Sequence, residues 1–256
     1  MNMTRDEEWL LREKYEGDMN PSFVEDCARL RAGEPLAYVI GHVPFLGVTV
    51  YLDSRPLIPR AETEFWVERA IAEMPPHEPI RVLDLCSGSG AIGLAVLAKR
   101  LNASVDLIEL EERHHATIER NLRENGVSAS RARVLGGDLF ERAEGPYDHI
   151  LSNPPYIDPA LDRVAQSVRA FEPAEALYGG EGGLELVRRI MREAEGFLAP
   201  YGRLYIEHEP EQSAAIATAA KEAGLACRTE RDQYGVDRYS VLSCLAPRFH
   251  VESSHG

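Results

Sequence analysis

One segment in the first half of the chain constrains the fold more than any other: a short apolar strand that runs directly into a glycine-rich turn and a helix. The strand covers 80–85, the turn reads Cys86-Ser87-Gly88-Ser89-Gly90, and a helix of small residues follows over 91–100. This succession is typical of the first half of a βαβ unit. Strand and helix patterns then alternate to about residue 245. The chain is therefore predicted to be an α/β protein with a doubly wound, mainly parallel sheet.

A different pattern precedes this sheet. Thr4 and Glu7 have the spacing of a capping box, Asn20-Pro21 resembles a second helix start, and Gly33 can end that helix. β-Branched and aromatic residues broken by glycine and proline over 36–57 predict a β-hairpin or an irregular strand pair. We therefore divide the chain into a short helical unit at 1–34, a hairpin linker at 35–58, a main domain at 59–248 and a tail at 249–256.

The charge balance limits the partners of the protein. Among 256 residues, 28 Lys and Arg face 42 Asp and Glu, for a net charge of −14. Such a surface repels polyphosphate unless basic residues gather on one face, so nucleic acid is disfavoured as a direct partner and a basic protein is not. The four cysteines include no Cys-x-x-Cys pair, so no metal site is expected. No run is apolar enough for a membrane span or a secretory signal, and a cytoplasmic location is expected.

The turn at 86–90, which we name the glycine turn, is the first candidate site. Glycine lets the backbone approach a ligand, and doubly wound sheets bind ligands at the carboxyl ends of their strands. Asp84, just before the turn, would repel a pyrophosphate but can bind the ammonium group of a methionine moiety, directly or through water. The glycines match a pyrophosphate-binding fingerprint only loosely, and an ordinary tight turn is the alternative. The residues of this segment predicted to bind a cofactor with such a methionine moiety are Asp84, Cys86, Ser87, Gly88, Ser89 and Gly90, and Asn153 is predicted to contact the same cofactor.

The second candidate site lies at the ends of the next two predicted strands. Glu109 can accept hydrogen bonds from both ribose hydroxyls of an adenosine, which does not distinguish a dinucleotide from S-adenosylmethionine. Asp138 follows Gly136-Gly137 and can reach an adenine amino group, with Leu139 against the adenine face. A solvated acid at Glu109 and a plain turn at Asp138 are the alternatives.

The third candidate site is Asn153-Pro154-Pro155-Tyr156, which follows a predicted strand at 147–152 and which we name the proline loop. Two prolines fix the backbone and leave the Pro154 carbonyl without a competing strand partner. This carbonyl and the Asn153 side-chain oxygen can accept both hydrogens of an NH2 group, which fixes the direction of the nitrogen lone pair. The Tyr156 ring can stabilise positive charge on that nitrogen. The pattern predicts methyl transfer to a planar amide or amino nitrogen, with a plain proline turn as the alternative.

Several segments together resemble the HemK/PrmC family, the protein-(glutamine-N5) methyltransferases that act on peptide chain release factors. The likeness runs from about Gly33 to about Leu245. The segments that carry it are Gly33-Glu34-Pro35-Leu36-Ala37-Tyr38, Phe45-Leu46-Gly47, Leu57-Ile58-Pro59-Arg60-Ala61-Glu62-Thr63-Glu64, Ser152-Asn153-Pro154-Pro155-Tyr156-Ile157, Phe171-Glu172-Pro173, Ala176-Leu177-Tyr178-Gly179-Gly180 and Gly182-Gly183-Leu184.

The resemblance implies a Rossmann-like class I methyltransferase whose last strand is antiparallel, with S-adenosylmethionine as cofactor. The implied acceptor is the glutamine of the Gly-Gly-Gln loop of a class 1 release factor. By motif position, the glycine turn would hold the methionine part, Glu109 the ribose and Leu139 the adenine. The proline loop, from Asn153 through Pro154 and Pro155 to Tyr156, would hold the glutamine amide. Arg60 and the residues of 62–64, Glu62, Thr63 and Glu64, should lie close to the cofactor.

The chain departs from the family pattern at three places. Ala61 stands where the family usually has proline, and Ile206-Glu207-His208-Glu209 lacks the usual Glu-Ile-Gly wording. The N-terminal helical unit, which in this family helps to dock the release factor, is short. The third departure bears on which protein is the substrate, and not on the reaction.

Other functions use parts of the same pattern. A methyltransferase for an exocyclic amino group of a nucleic-acid base would hold a flipped base in the same way, but the acidic charge and the lack of a basic, aromatic recognition domain disfavour it. A second alternative is methylation of a glutamine in another protein, such as a ribosomal protein. The intact proline loop disfavours a cofactor-binding protein without activity, and the poor pyrophosphate fingerprint disfavours a nicotinamide oxidoreductase.

Overall fold

The computed structural model of the protein describes residues 3–161 and 163–244. The predicted tail at 249–256 and the end of the predicted main domain, 245–248, lie outside the described residues. Within the described ranges, no helix is both long and apolar enough to cross a membrane.

The N-terminal unit consists of α1 (Arg5–Tyr15), α2 (Pro21–Arg31) and α3 (Leu36–Ile40). The predicted helix starts are confirmed: the Thr4 side chain accepts from the Glu7 amide, the Glu7 side chain accepts in return from the Thr4 amide, and Asn20 caps α2. The three helices share a small core of Leu10, Phe23, Cys27 and Val39.

The prediction of a β-hairpin or irregular strand pair over 36–57 is wrong at its start, where the structure has the helix α3. Its residues favour strands by propensity, but Val39 is buried against α1 and α2, and this packing outweighs local preference. Gly41, at a φ of 97°, ends the helix in a conformation that suits glycine. The hairpin itself is shorter than the predicted range, with β1 (His42–Phe45) antiparallel to β2 (Val48–Tyr51).

Seven further strands form one sheet in the order β5-β4-β3-β6-β7-β9-β8. They are β3 (Ile80–Leu85), β4 (Ala103–Glu109), β5 (Ala132–Gly136), β6 (Tyr147–Ser152), β7 (Leu198–Glu207), β8 (Leu225–Arg231) and β9 (Asp237–Cys244). Among these described strands, β9 pairs antiparallel with both neighbours, and the pairs from β5 to β7 are parallel. The predicted doubly wound sheet with an antiparallel last strand is confirmed.

Helices cover both faces of this sheet. They are α4 (Ala61–Glu73), α5 (Ala91–Lys99), α6 (Glu112–Glu124), α7 (Gln166–Phe171), α8 (Glu185–Ala194) and α9 (Ser213–Glu222). Alternate residues of β3 face opposite layers: Val82 belongs to the core with α4, α5 and α6, whereas Leu83 and Leu85 belong to the core with α8 and α9. Short 3₁₀ turns lie at Ala174–Ala176, Glu181–Gly183 and Pro210–Gln212.

Strand β3 is the point where the sheet order reverses, since β4 lies on one side of it and β6 on the other. A crevice forms at such a point outside the carboxyl ends of the strands. The glycine turn follows β3, Glu109 ends β4, and the proline loop follows β6, so the topology brings the three predicted sites to one edge.

Candidate active site

A cleft opens at this edge of the sheet, with an empty volume of about 1010 Å³ that includes space open to solvent. Nine residues predicted from the sequence line it: Cys86, Ser87, Gly88, Ser89, Glu109, Asp138, Leu139, Asn153 and Pro155. We name this cleft the first cavity. The structure thus places residues 86–89 of the glycine turn and the acids of the second candidate site on the walls of one space.

The glycine turn is held by hydrogen bonds to the ends of β3 and β4. The Ser87 hydroxyl donates to the carbonyls of Asp84 at 2.8 Å and Ile108 at 3.1 Å. Gly90, at a φ of 77°, precedes α5, and a Cβ atom there would lie 2.9 Å from the Ile118 side chain. Glycine is therefore required at position 90 by both conformation and space. Gly90 supports the turn from below and does not line the first cavity.

Asp84 lies behind the glycine turn. It is fully buried, and its Oδ2 accepts from the Gly93 amide at 2.8 Å. Among the described residues its Oδ1 has no hydrogen-bond partner. Burial raises the pKa of Asp84 to about 7. Asp84 is absent from the wall of the first cavity, so the structure does not place it for the direct ammonium contact we predicted; contact through water remains a prediction.

Glu109 lies at the rim of the first cavity. Its Oε2 accepts from the Gly88 amide at 2.7 Å and its Oε1 from the Glu111 amide at 2.9 Å. Each carboxylate oxygen has further lone pairs, so this held carboxylate suits the paired hydroxyls of a ribose.

At the end of the first cavity that is predicted to hold the adenine, a polar and an apolar residue lie side by side. Asp138 is paired with Arg189 at 2.8 Å, so one of its oxygens is already engaged. Leu139 adopts a φ of 50° and is buried among the core residues beneath the sheet. With Ile108 and Leu110, it gives the wall the apolar surface that a purine ring requires. The residues of the first cavity therefore fit an adenosine-containing cofactor.

The proline loop separates the first cavity from a second one. The second cavity has an empty volume of about 600 Å³, and Arg60, Tyr156 and Ile157 lie on its wall. Both cavities are lined by Leu57, Asn153 and Ala176. A ligand in one space and a ligand in the other would therefore both contact Asn153.

The Asn153 side chain has a defined partner. Its Nδ2 donates to Thr63 Oγ1 at 3.2 Å, and Thr63 in turn donates to Glu207 Oε2 at 2.7 Å. The Tyr156 hydroxyl donates to Glu207 Oε1 at 2.8 Å. Burial and the charge of Glu207 hold the pKa of Tyr156 well above its usual value, so the phenol stays protonated.

The backbone of the proline loop is supported from behind by a glycine segment. A Cβ atom on Gly183 would lie 1.9 Å from the Tyr156 carbonyl oxygen, and one on Gly179 would lie 2.4 Å from that of Pro155. Gln212 Nε2 donates to the Tyr156 carbonyl at 2.8 Å and to that of Gly182 at 3.0 Å. The loop is therefore fixed by tight packing as well as by its prolines.

The residues of 60–64 have separate roles in holding this region. Arg60 lines the second cavity and pairs with Glu172 at 2.6 Å. Thr63 lines the first cavity, whereas Glu64 accepts from the Leu46 amide at 2.6 Å and so fastens the hairpin.

Sequence reasoning assigned no role to Glu207. Its contact with Thr63 joins residues 144 positions apart, so no local pattern could have indicated it. The departure of residues 206–209 from the family pattern is the one feature of the sequence that draws attention to this position.

The strand order, the first cavity and the proline loop at the point of reversal define the class of the protein. It is an S-adenosylmethionine-dependent methyltransferase with a Rossmann-like fold. The family model described as "Methyltransferase small domain" matches residues 69–189. Among solved structures, the hMettl16 catalytic domain, in complex with MAT2A 3'UTR hairpin 6, superposes with a TM-score of 0.61 at 15% identity, covering 90% of this chain and 84% of that one. This last similarity concerns the fold alone.

Curated relatives identify the family. A protein of Bordetella pertussis (strain Tohama I) named "Release factor glutamine methyltransferase" is 38% identical over 217 residues, which is 84% of this chain and 79% of the relative. A protein of the same name from Xylella fastidiosa (strain 9a5c) is 38% identical over 225 residues, which is 87% of this chain and 80% of the relative. The chain belongs to the family of release factor glutamine methyltransferases.

Proposed function

We propose that the protein transfers a methyl group from S-adenosylmethionine to the side-chain amide nitrogen, N5, of the glutamine in the Gly-Gly-Gln loop of a class 1 peptide chain release factor. The relatives' names support the release factor as substrate. The observation that carries the proposal is that two cavities, one suited to an adenosine cofactor, share the Asn153 side chain.

Bound S-adenosylmethionine supplies a methyl group on a positively charged sulfur, which leaves as a neutral thioether. The protein's own residues orient the acceptor. The Asn153 oxygen, whose residue lines both cavities, and the Pro154 carbonyl, whose residue lines neither, would accept both N–H groups of the glutamine amide, so that its nitrogen lone pair faces the first cavity. As the nitrogen bonds to the methyl carbon it becomes positively charged, and these oxygens stabilise that charge until one of its protons is lost to solvent.

Apolar walls limit competing attack by water. Leu57 and Ala176, at the junction of the cavities, are apolar, and Ile108 and Leu139 line the cofactor side. Where a bound cofactor and acceptor displace water from this junction, the electrostatic effect of the two acceptor oxygens is stronger.

The direct test is incubation of the protein with purified release factor and S-adenosylmethionine carrying an isotopically labelled methyl group, followed by mass spectrometry to locate the label. We expect one methyl group on the glutamine of the Gly-Gly-Gln loop. A release factor with that glutamine replaced by glutamate is the matched control, and it should stay unlabelled. Total RNA, DNA and ribosomal proteins are assayed in parallel. Label in any of these, with none in release factor, would contradict the proposed substrate.

A further inference from the structure

Glu207 ends β7 behind the proline loop and is 1% exposed. Its Oε2 accepts from Thr63 Oγ1 at 2.7 Å and from Trp66 Nε1 at 2.6 Å, and its Oε1 accepts from the Tyr156 hydroxyl at 2.8 Å. Two of the donors belong to α4 and the third to the proline loop. The carboxylate therefore joins these two elements at the junction of the cavities.

The polarity of these hydrogen bonds follows from an ionised Glu207, which has no hydrogen to donate, and from a donor that cannot reverse. Burial raises the pKa of Glu207, whereas the hydrogen bonds from Trp66, Thr63 and Tyr156 favour its charged form. An indole N–H donates and does not accept, so the oxygen beside Trp66 acts as an acceptor. Thr63 contacts the same oxygen and gives it its single hydroxyl hydrogen. The lone pairs of that hydroxyl then face Asn153 Nδ2, 3.2 Å away. The NH2 end of Asn153 is accordingly turned toward Thr63, and its oxygen is turned away.

We propose that Glu207 is a positioning residue for methyl transfer, which acts through Thr63 to present the oxygen of the Asn153 amide, and not its NH2 group, to the acceptor. This inference rests on the function proposed above. A carboxamide has nearly the same shape in both orientations, so packing alone selects poorly between them. Two consecutive hydrogen bonds of fixed direction, from Thr63 to Glu207 and from Asn153 to Thr63, select one of the two orientations of the Asn153 amide.

Loss of the acceptor at position 207 would release this selection. The Thr63 hydroxyl could then turn and donate to Asn153, whose oxygen would rotate toward it. The NH2 group of Asn153 would face the NH2 group of the acceptor, donor against donor, and an acceptor N–H would be left without a partner. The turnover number should fall, while the cofactor, bound in the first cavity, should keep its affinity.

The first experiment compares Thr63→Val with Thr63→Ser. Valine keeps the shape of threonine but removes the hydroxyl, whereas serine keeps the hydroxyl. We expect Thr63→Val to lower kcat by about 10- to 100-fold, the effect of leaving one buried polar group unpaired. Thr63→Ser should keep kcat within about threefold of the wild-type value. A threefold change corresponds to a smaller free energy than the loss of one hydrogen bond. Because Thr63 also lines the first cavity, kcat is measured at saturating cofactor, and calorimetry gives the cofactor Kd of each variant separately.

The second experiment compares Glu207→Gln with Glu207→Leu. Trp66 can only donate, so it should draw the oxygen of the glutamine amide to the Oε2 position and keep the polarity at Thr63. The Gln variant should therefore retain most of the turnover, whereas the Leu variant should lose at least as much as Thr63→Val. Thermal unfolding of each variant separates loss of fold from loss of positioning.

A double-mutant cycle decides the matter. Because Thr63 acts through Asn153, Thr63→Val should have almost no further effect on kcat in an Asn153→Ala background. An equal loss in both backgrounds, or an unchanged kcat in Thr63→Val alone, would overturn the proposed role of Glu207. Absence of methylation by the wild-type protein counts against the proposed substrate instead, and label on a different acceptor allows the same variant series to be measured on it.

Discussion

The glycine turn and the proline loop each follow a parallel strand, β3 and β6, and both end at the same edge of the sheet, yet they are held in different ways. The glycine turn is fixed mainly by backbone amides and by the adjacent strand ends, as in the Gly88 contact with Glu109. The proline loop is fixed by residues from distant elements, including Thr63, Glu207 and Gly183. Both segments are thus held by residues distant in the chain, since Asn121 of α6 also donates to the Ser89 carbonyl of the glycine turn at 2.9 Å. The difference is that the glycine turn is held mainly through its backbone groups, whereas the proline loop is also held through the side chains of Asn153 and Tyr156.

Asn153→Ala should give the largest effect. Removal of one of the two acceptor oxygens leaves the amide nitrogen free to rotate, so we expect kcat to fall by about 1000-fold or more. Asn153 also lines the first cavity, so the cofactor Kd should rise, but by much less than kcat falls, since the glycine turn and Glu109 are untouched. Single-turnover kinetics with labelled cofactor gives the first quantity, and calorimetry the second. An unchanged kcat would refute the role of Asn153.

Gly183→Ala tests the packing behind the proline loop. The new Cβ would overlap the Tyr156 carbonyl oxygen, so the loop must shift. We expect kcat to fall by about 100-fold, because small displacements of a positioned acceptor are costly, and Tm to fall as well. Gly182→Ala is the matched control: it also has a positive φ, of 61°, but has no heavy atom within 4 Å of its Cβ position. If both variants lose the same activity, backbone strain and not the clash is responsible.

Glu109→Gln tests cofactor binding beside the glycine turn. The glutamine amide keeps one oxygen but turns an NH2 group toward either the ribose hydroxyls or a backbone amide. We expect the cofactor Kd to rise by about 10-fold, the effect of one hydrogen bond to a charged group. At saturating cofactor, kcat should stay within about threefold of wild type. A large fall in kcat with an unchanged Kd would show that the two loops are not functionally separate.

Asp84→Asn should act on stability, and the size of its effect depends on pH. The folded protein holds the proton of Asp84 up to a pKa of about 7, whereas the unfolded chain releases it near 3.8. Between these values the unfolded state binds fewer protons, so this group lowers wild-type stability as pH rises. Asparagine does not titrate and can still accept from Gly93. The wild-type free energy of unfolding should therefore fall, relative to that of Asp84→Asn, by roughly 1 kcal/mol per pH unit between the two pKa values. The Tm of Asp84→Asn should accordingly rise relative to the wild-type Tm by several degrees from pH 4 to pH 8.

The pH dependence of cofactor affinity gives a second comparison between wild type and Asp84→Asn. If the ammonium group reaches Asp84 through water, it favours the charged carboxylate, and the wild-type affinity should increase as pH rises through about 7. The affinity of Asp84→Asn should show no such dependence. The same pH dependence in both proteins would remove Asp84 from the cofactor site.

The sequence predicted best what depends on neighbouring residues. The strand before the glycine turn, the acid that ends β4 and the proline loop after β6 were all located by spacing and apolar pattern. The same local reasoning was wrong at Leu36–Ile40, where contacts with α1 and α2 decide the conformation. It also missed α7, a six-residue helix without a side-chain cap. It could not find Thr63 and Glu207 as partners, since the fold alone brings them together.

The donor-only indole of Trp66 also limits how this family can diverge. A replacement at position 207 must bring an oxygen to the same point, or the indole N–H stays buried without a partner. Relatives that carry an apolar residue at 207 are therefore expected to have lost the tryptophan at 66 and the hydroxyl at 63 too. These three positions should vary together among homologues, although the chain separates the first from the last by more than half its length.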